Sequence, residues 1–211
     1  MIIAVDGPAA SGKGTLARAL AEHFGLAYLD TGSLYRATAV RLLAVGNTDP
    51  TEDEATKAAD TITAADRESP DLRSEATGQM ASTVAAMAGV RASLLAFQRN
   101  FAANPPGGAT GAVMDGRDIG TVVLPDADKK LFITASAKAR AHRRFLELSA
   151  SGDPTSEDQV LADLIDRDRR DAERAQSPMV QAPDAHLLDT TELDIDAAFL
   201  AAKAYISGPA R

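Results

Sequence analysis

The 211-residue sequence predicts an α/β fold, a five-stranded parallel sheet with helices on both faces. Short apolar runs alternate with longer stretches of helical periodicity, a rhythm that implies right-handed crossovers between parallel strands. The first run, "MIIAV" (1–5), passes through "DGP" into the glycine-rich "GPAASGKGT" (7–15) and then into a helical segment, which is the setting a phosphate-binding loop needs. Composition agrees: 45% apolar and 25% charged residues suit a globular chain able to build a sizeable core.

The elements follow in order. After the loop, Leu16, Ala17, Leu20, Ala21 and Phe24 recur at helical spacing, predicting a helix over 13–24. "LAYL" (26–29), "AVM" (112–114), "KLFITA" (130–135) and "HLLD" (186–189) are the remaining strand candidates. The stretch from Leu29 to Ala112 is alanine-rich and helical in character, broken at "GNTDPTEDE" and "DRESPD". Pro50, Thr51 and Glu54 form a helix start of capping-box type, and Asp71 to Phe101 reads as mostly helical. "SASGDPTSED" (149–158) reads as a polar loop between two helices. With no internal repeats and no low-complexity tails, one domain over 1–211 is expected.

Several function classes are disfavoured. No run reaches the ~20 apolar residues of a membrane span, and no signal peptide precedes the first strand, so a soluble cytoplasmic protein is expected. The absence of cysteine excludes disulfides and thiolate chemistry. His23, His142 and His186 lack metal-ligand spacing. A net charge of -8 argues against a nucleic-acid polymer as partner. Yet 16 of the 22 basic residues are arginine, and eight of the 22 lie between Lys138 and Arg174. A local arginine cluster on an acidic chain suggests a small, highly anionic ligand, since guanidinium grips phosphate as a planar fork.

Backbone N–H groups of Gly7, Pro8, Ala9, Ala10, Ser11, Gly12, Lys13, Gly14 and Thr15, proline excepted, are placed to bind phosphate oxygens at the positive end of the following helix. Lys13 reaches the β and γ phosphates. Gly14 stands where most such loops carry Ser or Thr, so Mg²⁺ falls to Thr15, to water and to the nucleotide. The loop fixes nucleotide binding and leaves ATPase, GTPase and kinase open.

Other polar residues gather at strand ends, where ligands of parallel sheets bind. "DTGSLYR" puts Asp30 and Thr31 at one edge, either able to cap the next helix, with Tyr35 and Arg36 a turn further on. "DGRD" brings Asp115, Arg117 and Asp118 to another; there an aspartate can orient Mg²⁺-bound water and an arginine can clamp phosphate. Arg167, Arg170, Asp171 and Arg174 share one helix stripe, and Arg140 and Arg144 form a second pair.

"GKGT", "LDTGSLYR" (29–36), "DGRDIGTVVLPDADKKLFITAS" (115–136), "ARAHRR" (139–144) and "RDRRDAERAQSPM" (167–179) together resemble the bacterial cytidylate kinases, from Met1 to about Asp189. The resemblance implies a P-loop kinase core with an acceptor-binding helical insertion over 31–104 and a short lid over about 145–166. It implies ATP and CMP or dCMP as substrates, Mg²⁺ as cofactor, and a monomer. By the same resemblance Thr31, Tyr35, Arg36, Ser82, Arg91, Arg117, Asp118, Asp171 and Arg174 bind CMP, with Asp118 reading the cytosine amino group. Lys13, Arg140, Arg144, Arg167 and Arg170 are the implied catalytic set, and Thr15 and Asp115, through water, are the expected metal contacts. Two departures stand out: Thr31 replaces an expected serine, and "TITAADRESPDLRSE" is too short and polar for the β-rich insertion of the longer members. An AMP or UMP kinase shares the loop and lid; a non-catalytic nucleotide sensor needs neither the "DGRD" arginine nor the arginine stripe.

Overall fold

A computed structural model describes residues 1–150 and 152–208. Its elements run β1 (Ile2–Asp6), α1 (Lys13–Phe24), β2 (Ala27–Asp30), α2 (Gly32–Ala44), α3 (Glu52–Asp60), α4 (Ala64–Arg67), α5 (Glu75–Val84), α6 (Ala88–Ala103), β3 (Ala112–Gly116), β4 (Lys129–Thr134), α7 (Ala137–Ala150), α8 (Glu157–Glu173), β5 (His186–Asp189) and α9 (Ile195–Ser207). The five strands form one sheet in the order β2-β3-β1-β4-β5, every neighbouring pair parallel. Ser151, within the predicted polar loop, and residues 209–211 lie outside the described residues.

Strand alternation divides the core. Ile3 and Val5 point to one face, where they pack with Val113, Leu131 and Ile133 under Leu16 and Leu20 of α1 and Ala202 and Ile206 of α9. Ala4, Leu29 and Met114 point to the other, against Ala102 of α6 and against Ile119 and Val123. Both faces are therefore covered, which is why β1 and β3 read as continuous apolar runs. A third cluster joins α2, α3, α5 and α6 through Leu34, Leu42, Ala55, Met80, Val84 and Leu94. The fourth packs Ala9 of the glycine-rich loop on Ala141, Leu148, Val160 and Leu164 of α7 and α8.

Between β2 and β3 the described residues contain only helices and turns, as predicted. The capping box at Thr51 is present: Thr51 Oγ1 accepts from the Glu54 amide at 3.4 Å, and Glu54 Oε2 accepts from the Thr51 amide at 2.9 Å. The predicted helical stretch 71–101 divides at Ala85–Met87 into α5 and α6. β3 extends two residues beyond "AVM", since the ladder to β1 continues to Asp6 opposite Gly116. The turn Ile119–Val123, of π type, has no counterpart among the predicted elements. No single helix among the described residues is long and apolar enough to cross a membrane.

Candidate active site

The glycine-rich loop leaves β1 and enters α1 at the carboxyl edge of the sheet. Gly7 has φ +146°, and a Cβ there would lie 2.0 Å from the Ile133 carbonyl oxygen, so only glycine fits. Gly12 caps α1 in the left-handed conformation, and no side chain bonds the first-turn amides. Those N–H groups are thus available to an anion. A Cβ at Gly14 would stand 3.3 Å from Asp115 Oδ2 and 3.7 Å from the Tyr28 hydroxyl, which itself donates to Asp115 Oδ1 at 3.2 Å. The Asp115 carboxylate therefore borders the space into which the Ser or Thr of other loops projects.

Beside the loop opens a crevice of about 250 Å³, and all nine residues expected to hold CMP line it, together with Ala9, Ala10, Lys13, Gly14, Asp30 and Asp115. Those nine arrive from the start of α2, from α5, from α6, from the loop after β3 and from the end of α8. Thr31 leaves β2 and donates through Oγ1 to the Asp115 carbonyl at 2.8 Å, so the cap of α2 comes from Asp30, whose Oδ1 accepts from the Ser33 amide at 3.2 Å. Arg36 donates to the Leu72 carbonyl at 2.9 Å. Ser82, on α5, is buried with no hydrogen-bond partner for its hydroxyl. Asp118 is held by Arg91 of α6 and by Arg174 at 3.4 Å, and Arg91 also lies over the Tyr35 ring. Arg117 Nε pairs with Asp171 of α8 at 2.9 Å.

Burial shapes the charges here. It pulls Lys13 down to about 8, helped by nearby Arg117 and opposed by Asp115 and Asp30. It pushes Asp115 up to about 6, with Lys13 opposing and Asp30 adding. Burial also disfavours the ionised Asp171, yet Arg117 and Arg167 hold its carboxyl below the ordinary range. Arg167, buried and close to Arg117, falls to about 10.

The predicted catalytic arginines separate. Arg167 lines the crevice and, with Arg36 and Arg144, a second cavity of about 140 Å³ between the loop, α5, α7 and α8. Arg140 lines neither; it is buried beneath the loop, donating to the Ala9 and Ala135 carbonyls and pairing with Asp168 at 2.6 Å. Arg170 is exposed and donates to Gln79 Oε1 at 2.8 Å. The single stripe predicted over 167–174 is corrected accordingly: α8 ends at Glu173, and Arg174 turns back to Asp118 from an extended backbone.

Thr15 and Asp115 do not meet. Thr15 lines a separate cleft of about 300 Å³ with Arg143, Thr190, Leu193 and Ala198. No group of three or more acidic, histidine or cysteine side chains able to cage a metal occurs among the described residues. The carboxylates beside Lys13 instead suit Mg²⁺ that arrives on phosphates and keeps most of its water.

Sequence reasoning missed Thr190, Arg143 and Asp6. Thr190 Oγ1 donates to the Ser11 carbonyl at 3.1 Å and accepts from Arg143 at 3.2 Å, tying the loop to the end of β5. Its position directly after "HLLD", at the binding edge of a parallel strand, was the available signal.

A family model described as cytidylate kinase matches residues 3–204. The cytidylate kinase of Rhodopseudomonas palustris BisB18 is 54% identical over 96% of this chain and 93% of its own. That of Azorhizobium caulinodans is 53% identical over 98% of each. Among solved structures, a protein of Eubacterium ventriosum superposes with a TM-score of 0.55 at 16% identity over 99% of each chain, a likeness of fold. A sugar kinase of a Janibacter species superposes at 0.50 with 14% identity over 97% of this chain and 93% of its own.

Proposed function

This chain belongs to the cytidylate kinase family, and from that membership and the crevice we infer that it transfers the γ-phosphoryl group of ATP to CMP or dCMP, giving ADP and CDP or dCDP. The observation that carries the reading is the convergence of Arg36, Arg117, Asp118 and Arg174, from three separate parts of the chain, on one crevice beside Lys13.

The acceptor's 5'-phosphate sits among Arg36, Arg117 and Arg174, next to Thr31. Its base lies between Tyr35, Ser82, Arg91 and Asp118. Asp118 has both oxygens paired to arginine, but a carboxylate retains lone pairs for the cytosine N4 donor. Uracil offers an acceptor at that position and is repelled. Asp171 accepts from a sugar hydroxyl. The donor's phosphates lie on the loop amides and Lys13, with its base in the cleft of Arg143 and Thr190. The helical segment 31–104 acts as the acceptor insertion, and 145–166 as the lid.

The acceptor phosphate is already an oxyanion near neutral pH, so no general base is needed. Its oxygen bonds to the γ phosphorus as the bridge to the β phosphate breaks, and ADP leaves. Lys13, Arg144 and Arg167 neutralise the charge that moves between them. Asp115 and Asp30, through water, would hold Mg²⁺, which would supply neutralisation of the donor's phosphate charge. Arg140 with Asp168 keeps the loop in place, and closure of 145–166 excludes water as a competing acceptor.

The test is ADP release from ATP and Mg²⁺ with CMP, dCMP, UMP and AMP offered separately. Turnover is expected to be greatest with CMP or dCMP. ATP consumption that no acceptor stimulates overturns the reading.

A further inference from the structure

Asp6 stands outside the crevice, yet its side chain joins two of the loops that build it. It closes β1, the central strand, and is 4% exposed. Oδ1 accepts from the Ile119 amide at 2.7 Å, and Oδ2 from the Gly120 amide at 2.8 Å. A buried carboxylate is costly unless donors meet its lone pairs, and two successive main-chain amides meet this one as a fork. The alkyl stem of Lys130 runs close by: a Cβ on Gly120 would lie 3.1 Å from Lys130 Cδ. The Lys130 ammonium, however, turns to Asp184 at 2.7 Å, so the amides remain the direct partners of Asp6.

The two amides open the π turn Ile119–Val123, which its own N-cap residue Asp118 does not cap and which follows Arg117 and Asp118 directly. Short π segments are frequent at functional sites. One residue after Asp6, Gly7 begins the phosphate loop. The carboxylate therefore fixes the loop bearing Arg117 and Asp118 against the root of the loop bearing Lys13.

We propose that Asp6 is a positioning residue for the acceptor, setting the Arg117–Asp118 loop at the distance from the phosphate loop that presents CMP to the donor. The proposal rests on the kinase reading above. Donor contacts come from the loop amides and Lys13, which Asp6 does not touch, so its loss falls chiefly on the acceptor.

The experiment is steady-state ADP release by the full chain, wild type against Asp6→Asn. Asparagine offers one carbonyl oxygen and turns its NH₂ toward the other amide, so one charged hydrogen bond is replaced by a donor–donor clash. The KM for CMP is expected to rise roughly tenfold, with the KM for ATP held within about twofold and discrimination against UMP reduced. A merely structural role lowers thermal stability and kcat and leaves the CMP KM unmoved, which overturns the proposal. Should Asp6→Asn fail to fold, Gly120→Ala serves: its Cβ would stand 3.4 Å from Asp6 Oδ2 and 3.1 Å from Lys130 Cδ, which pushes the turn away from the carboxylate, and a smaller rise in the CMP KM is expected. An unmoved CMP KM in that variant also overturns the positioning role. A wild-type enzyme that does not use CMP defeats the kinase reading itself, before either variant is considered.

Discussion

On the wall of the crevice built by α6, the loop after β3 and the end of α8, Arg91, Arg117 and Arg174 are each paired with a buried aspartate. In the second cavity, lined by α7 and the middle of α8 and shared with the crevice through Arg167, the pairing is looser. Arg167 Nε has no hydrogen-bond partner among the described residues, and Arg144 meets half-exposed Glu75 at 3.6 Å and exposed Glu147 at 3.2 Å. The first arrangement sets three arginines against two buried aspartates, so most of its charge is compensated before any ligand arrives, which suits recognition of shape and donor pattern. The second leaves positive charge under-compensated in a partly desolvated place, which suits a phosphate that supplies the missing charge. The same residue type thus does different work according to who neutralises it.

The hardest blow to this comparison comes from the loop itself. Lys13→Ala is expected to lower kcat by ~10²–10³-fold while the melting temperature stays unchanged or rises, since the ammonium is buried at an energetic cost. Near-normal turnover by a folded Lys13→Ala protein removes the electrostatic role from the phosphate loop. A matched pair sharpens the contrast. Arg91→Ala, which strands Asp118 with Arg174 alone, is expected to cost about 3 kcal/mol of stability by chemical denaturation. Arg167→Ala should cut turnover with little loss of stability; equal destabilisation by both variants breaks the distinction.

The smallest effect concerns pH. Burial lowers Lys13 to about 8, so its ammonium is intact at pH 7 and is lost as pH rises through that value. ATP affinity is expected to fall roughly tenfold between pH 7 and pH 9. Because bound phosphate favours the charged form, calorimetry in buffers of different ionisation enthalpy should also record proton uptake on binding above pH 8. Binding that is flat across this range places Lys13 away from the phosphates.

Much of the scaffold was legible because strand and helix periods are local. "HLLD" coincides with β5, and Thr51 with Glu54 announced α3. The end of β3 was less so, because the ladder with β1 rather than hydropathy carries that strand to Gly116. At the site, the resemblance gathered Thr31, Ser82 and Arg174 into one crevice, which spacing alone had no means to do. Spacing also put Arg140 and Arg144 on one helix face, but the Ala9 and Ala135 carbonyls draw only the first beneath the loop. Asp6 was hidden because "VDGP" reads as a strand running into a turn, and its partners lie more than a hundred positions away.

The place of β1 in the sheet has a consequence for how the molecule is born. Translated before the strands that flank it, this apolar strand acquires its neighbours only when Ala112 arrives to face Ile2 and Lys129 arrives to face Ile3. Until then the nascent chain exposes a sticky edge, and such distant pairings are reached slowly because much loop entropy must be lost beforehand. α1 can coil and α2–α6 can collapse on the ribosome, but Gly7 cannot settle against Ile133 until β4 has emerged. The strand synthesised ahead of its neighbours is among the last to be completed, and the capacity to hold a nucleotide arrives with it.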